Sequence, residues 1–83
     1  MLLFSIYDKV ADRYAPPFVA VNAGVACRQL ENSIREVPEI HLVDFELVQI
    51  GTFDEVTGNV ASDMHSVVAR GVDFKKNVDT LVP

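Results

Sequence analysis

Cysteine, histidine, tryptophan and positive charge are all scarce in this chain. The 83 residues hold a single Cys, 2 His and no Trp. A lone cysteine, Cys27, excludes an intramolecular disulfide and fits a reducing compartment such as the cytosol. His41 and His65 lack the HxxxH spacing of a metal pair, and Cys27 has no neighbouring Cys or His. Gly-x-x-x-x-Gly-Lys, Gly-x-Gly-x-x-Gly and Gly-x-Ser-x-Gly are absent. No enzymatic activity, cofactor or metal is therefore expected. Lys and Arg number 7 against 12 Asp and Glu, a formal charge of −5. That sign opposes strong non-specific binding to nucleic acid, which draws its affinity from neutralised phosphates. It leaves room for a local basic patch, because charges are screened beyond about 10 Å. Long apolar runs are missing too. Met1-Leu2-Leu3-Phe4-Ser5-Ile6-Tyr7 lacks a basic n-region and falls far short of the roughly 20 residues that span a bilayer. It reads as a buried strand, with nothing to suggest export or membrane insertion.

What the chain does have is apolar content. Hydrophobic residues make up 49% and mean hydropathy is +0.21, high for so small a domain. A chain of this length folds as one domain with a modest core and is marginal as a monomer. Some apolar surface is therefore expected to enter an oligomer interface, the simplest being a homodimer. The domain is expected to occupy residues 1–70, with residues 71–83 as a C-terminal tail that has few apolar anchors.

The firmest structural signal is Asp44 to Val60, which reads as a β-hairpin. Phe45, Leu47, Gln49, Gly51 and Phe53 share one side of its first arm; Asp44, Glu46, Val48 and Ile50 share the other. Asp54-Glu55-Val56-Thr57-Gly58 collects turn residues, with Gly58 free to take positive φ and Asp54 able to bond the backbone just ahead. Residues 2–8 alternate as a strand, Leu2, Phe4 and Ile6 against Leu3, Ser5 and Tyr7. Tyr14 to Val21 is extended, but Pro16 and Pro17 confine it to an edge or a bulge. Asn22 suits an N-cap. A helix from Ala23 to Glu36 follows, its stripe formed by Ala23, Ala26, Cys27, Leu30, Ile34 and Val37. Pro38 stops it, and Glu39-Ile40-His41 connects to the hairpin. Past the hairpin the pattern weakens, leaving His65 to Arg70 as a further strand ended by Gly71. The order predicts an α+β fold, an antiparallel sheet of about four strands with one helix across one face. The second face is expected to be open or covered by another subunit.

Chemistry-bearing residues are few. Cys27 lies on the helix stripe and reads as a core thiol; the histidines read as surface residues. Asp8 with Asp12, and Asp54 with Glu55, read as local turn chemistry in preference to cation or acid–base sites. Two basic sets remain. Lys9 and Arg13 stand with Tyr7 and Tyr14, and Arg70 is followed by Lys75 and Lys76 beside Phe74. Mixed cations and aromatics are what single-stranded nucleic acid binding uses. Asp8, Asp12, Asp73 and Asp79 interrupt both sets, so a solvated surface is the competing reading.

Ser5-Ile6-Tyr7-Asp8, Pro17-Phe18, Gly24-x-Ala26-x-Arg28, Pro38-Glu39, Asp44-Phe45, Ile50-Gly51-x-Phe53-Asp54 and Thr57-Gly58 occur in this order over about residues 4–60. The set resembles the small nonstructural protein of gokushoviruses, Microviridae with circular single-stranded DNA genomes that infect bacteria. In that family Pro-Glu-Asp-Phe is contiguous, whereas Ile40-His41-Leu42-Val43 intervenes here, and Val19 stands where a second Phe is usual. The resemblance implies a protein of the host bacterial cytoplasm, labelled DNA-binding or likened to a factor that switches replication to single-strand synthesis. It carries no catalytic residues. Phe4, Ile6, Phe18, Phe45 and Phe53 would be core, and Gly51 and Gly58 backbone-permissive; Tyr7, Asp8 and Arg28 call for another explanation.

Three functions follow as expectations. The first is a non-enzymatic replication factor that contacts a phage or host replication protein, with weak contact to single-stranded DNA. The second is a minor virion or assembly-interaction protein. The third is a direct single-stranded DNA-binding module using Tyr7, Lys9, Arg13, Tyr14, Arg70, Lys75 and Lys76.

Overall fold

The hairpin is the spine of the sheet. In a computed structural model that describes residues 1–74, strand β4 (Phe45–Phe53) pairs antiparallel with β5 (Val60–Arg70) and, on its other side, with β1 (Leu2–Asp8). The far edge of β1 is shared by two short strands, β2 (Arg13–Tyr14) and β3 (Phe18–Ala20). The sheet has five strands in the order β2-β1-β4-β5, with β3 beside β2 on β1. The α+β class and antiparallel sheet match the sequence expectation. Ala15, Pro16 and Pro17 account for the split edge. Proline cannot donate to the ladder, so pairing lapses there, and the Ser5 hydroxyl donates instead to the Ala15 carbonyl at 2.7 Å.

Helix α1 (Ala23–Ser33) opens on Asn22, whose side-chain oxygen accepts the Val25 N–H at 2.9 Å. It ends earlier than Glu36. The chain continues turning through Arg35 N–H to Asn32 O and Val37 N–H to Ile34 O, the tighter bonding common at helix ends. Ala26, Leu30 and Ile34 pack onto Phe4, Ala20, Leu42, Leu47 and Ala69, and Cys27 and Val37 sit at the margin. Each fully buried leucine there contributes roughly 1.5–3 kcal/mol.

The extra Ile40-His41-Leu42-Val43 is absorbed by a 3-10 helix, Glu39–Asp44, that turns Leu42 into the core. Only Glu39 to His41 was expected as a plain connection; the apolar Leu42 fixes the segment instead. The hairpin turn closes as expected. Asp54 Oδ1 accepts from Val56 and Thr57 N–H, Gly58 N–H donates to Asp54 O at 2.7 Å, and Gly58 has φ +79°. Gly51 has a separate reason to be glycine: a Cβ there would lie 2.2 Å from the Ala61 carbonyl oxygen of β5. The return arm and the later strand are one element, β5. Its alternation fails in sequence because Val68 is one extra residue between the pairs Leu47–Ala69 and Val48–Val67, which reverses the facing on either side of it. A wider irregularity sets Asp63, Met64 and His65 against Ile50 alone, between Gln49–Ser66 and Gly51–Ser62. After β5 a short 3-10 turn, Gly71–Phe74, buries Gly71 and packs Phe74 at the core margin.

Candidate functional site

Residues directly opposite in an antiparallel ladder present their side chains to the same face. Tyr14 lies opposite Tyr7, Tyr7 opposite Glu46, and Glu46 opposite Arg70. These four make one row across β2, β1, β4 and β5, on the face away from α1. The next row is Ser5, Val48 and Val67. Two basic–aromatic sets far apart in sequence are thus partly joined, through Tyr7, Tyr14 and Arg70.

The rings of Tyr7 and Tyr14 lie 4.6 Å apart, tilted by 37°. The Tyr7 hydroxyl donates a short hydrogen bond to Asp12 Oδ1, and this bond, together with the negative charge of Asp12, pushes the Tyr7 phenol up to about 12. Asp12 reaches it from a left-handed backbone, φ +56°, which Asp tolerates better than most residues. Asp8 holds the same loop, its Oδ1 accepting from Val10 and Ala11 N–H. Tyr7 and Asp8, the polar residues of the N-terminal motif, therefore shape the turn between β1 and β2. Arg28 is exposed on α1, on the other side of the sheet.

His65 was not among the sequence candidates, yet it completes the cluster. Its ring meets Tyr14 edge-on at 5.5 Å, with the Tyr14 oxygen 3.3 Å from Nδ1. Tyr14 and His65 belong to opposite edges of the sheet, so the sheet curls until the two touch. Beneath that curl Ser5 and Val48 are only 1% and 3% exposed. The face expected to be open, or covered by another subunit, is therefore partly closed by the chain itself.

The cations are interleaved with carboxylates. Lys9 Nζ lies 3.7 Å from Glu46. Arg13 alternates with Tyr14 along β2 and so faces the other way, opposite Asp8. Arg70 stands opposite Glu46, and its backbone N–H donates to Asp73 at 2.8 Å. Lys75 and Lys76 lie outside the described residues. Glu46 is the residue whose importance sequence reading missed, since it becomes central only through pairing on both sides of β4. Asp54 is held well below the usual carboxylate range by the Val56 and Thr57 N–H groups, which marks it as a turn residue. Cys27 is half-buried at the core margin. Among the described residues no three of His, Cys, Asp or Glu are grouped to hold a metal, and no helix is long and apolar enough to cross a membrane.

No curated protein and no solved structure matches the chain. The family comparison reaches beyond the motif set, through β5 and the 3-10 turn after it: the model of the family described as Phage ORF5 protein matches residues 1–74, and the chain belongs to that family.

Proposed function

We propose that this phage protein is a non-enzymatic accessory factor in replication of a single-stranded DNA genome, made in the infected bacterium and acting mainly through protein contact. Membership of the Phage ORF5 family supports the phage setting. The ordered motifs that resemble the gokushovirus nonstructural protein support the replication role. The observation that carries the choice of protein over DNA is the placement of carboxylates among the cations. Lys9 is paired to Glu46, Arg13 faces Asp8, and Arg70 stands opposite Glu46. A strand-tracking groove needs uncompensated charge along its length, and here the net charge is −5. What the row offers DNA is aromatic surface: Tyr14 is about half exposed beside Tyr7 and His65. Base stacking there would be weak and sequence-tolerant.

The test is genetic. A phage carrying a stop codon early in this reading frame should accumulate duplex replicative DNA and release less single-stranded progeny DNA per cell. Unchanged amounts of both forms, with normal particle yield, would remove replication from the role.

A further inference from the structure

Strand β5 is an open edge. It is 11 residues long, and among the described residues it pairs only with β4. Exposed edge strands invite pairing with another chain, and monomers guard them with Lys, Pro or short length. No Lys or Pro stands between Val60 and Ala69. Val60, Met64 and Val67 are 61%, 89% and 53% exposed. Bulges also guard edges. β5 carries two, Val68 and the wider Asp63-Met64-His65 opposite Ile50, yet the middle residue of the wider one is the apolar and exposed Met64.

The sequence of the edge is almost a palindrome about Met64. Val60-Ala61-Ser62-Asp63 precedes it and His65-Ser66-Val67-Val68 follows. A two-fold contact requires such self-complementarity, because residue i meets residue j and j meets i. We infer that the chain dimerises by antiparallel pairing of β5 with β5 of a second copy, centred on Met64. In that register Val60 meets Val68, Ala61 meets Val67, Ser62 meets Ser66, and the two Met64 side chains meet on the axis. Asp63 meets His65 on both sides of the axis, a pairing of unlike chemistry in which the imidazole can hydrogen-bond the carboxylate. Nδ1 of His65 faces Tyr14 within its own chain, which leaves Nε2 for the carboxylate of the second copy. Centring on His65 instead would set Val60 against Arg70 and Asp63 against Val67, losing both the apolar matches and the Asp63–His65 pairing. The joined molecule would have one continuous sheet across both copies, and this pairing does not depend on the role in DNA replication.

Light scattering on the eluted full chain tests it. The mass should be twice 9.2 kDa at high micromolar concentration. Met64→Lys sets two ammonium groups against each other on the axis and should return the mass to that of one chain, with the circular dichroism spectrum unchanged. Cross-linking gives an independent reading. In a Cys27→Ser background, Met64→Cys should oxidise to a covalent dimer, since directly opposed residues have Cα atoms about 4.5–5.5 Å apart, within disulfide reach. Val56→Cys, exposed in the hairpin turn, should not. A wild-type chain that stays monomeric would overturn the inference. So would a doubled mass that survives Met64→Lys, or equal cross-linking through Val56→Cys. A monomer that gains mass only with an added partner protein would assign the edge to that partner and likewise overturn it.

Discussion

Tyr14 and His65 leave opposite edges of the sheet and meet above its outer face, the phenol oxygen 3.3 Å from Nδ1. The contact ties β2 to β5 over Ser5 and Val48. A double-mutant cycle with Tyr14→Ala and His65→Ala should show a coupling of about 0.5–1.5 kcal/mol in urea unfolding, the range of aromatic pairs. Strict additivity would mean that the curl of the sheet persists without the contact.

The Tyr7–Asp12 hydrogen bond gives a spectroscopic prediction. Tyr7 titrates near 12, above the ordinary tyrosine value of 10.0. Its folded value is raised, so the bond contributes fully below the unfolded value of about 10 and is lost as pH climbs toward 12. A tyrosinate absorbance titration should show one phenol ionising near pH 12. Asp12→Gly keeps the left-handed backbone but removes the acceptor, and should bring that phenol back toward about 10. No change on substitution would dissociate Asp12 from Tyr7.

Gly51 is fixed by the closeness of β5. Gly51→Ala puts a methyl 2.2 Å from the Ala61 carbonyl oxygen, so one strand must move. The expected cost is about 1–3 kcal/mol, as for other overpacking changes, read as a lower urea midpoint with an unchanged slope. Stability within a few tenths of wild type would show that the hairpin yields there.

Ser5 is buried with its hydroxyl donating to the Ala15 carbonyl at 2.7 Å. Ser5→Ala removes the donor at the place where the prolines interrupt pairing. A loss of about 1 kcal/mol is expected. Ser5→Thr, which retains a hydroxyl, tests whether the bond or the volume matters: if it is the bond, Thr should recover more stability than Ala.

Much of the fold is legible because its signals are local. Period-two alternation marks β1 and β4, Asn22 marks the helix start, and Asp54 with Gly58 marks the turn. The helix end was overrun because Ile34 and Val37 keep the apolar spacing while the backbone has already tightened. Leu42 was missed because a 3-10 helix has no long periodicity to read. β5 looked broken because the single extra residue Val68, between the pairs Leu47–Ala69 and Val48–Val67, shifts the alternation. The site was legible only in part. Tyr7, Tyr14, Lys9 and Arg13 are close in sequence and could be named together. Arg70 joins them, Glu46 divides them and His65 crosses to them through pairings between distant strands, which no local pattern reports.

The most direct test of protein contact over DNA contact is fluorescence anisotropy with a labelled single-stranded oligonucleotide and a duplex control, at low and physiological salt. The predicted result is weak single-strand binding at low salt only. Its salt slope should be near the roughly −0.7 of one phosphate contact, and it should disappear with Tyr7→Ala and Tyr14→Ala. Micromolar or tighter binding at physiological salt, abolished by removing the charges of Lys9 and Arg13 or of Lys75 and Lys76, would contradict the account and make the protein a direct single-stranded DNA-binding module.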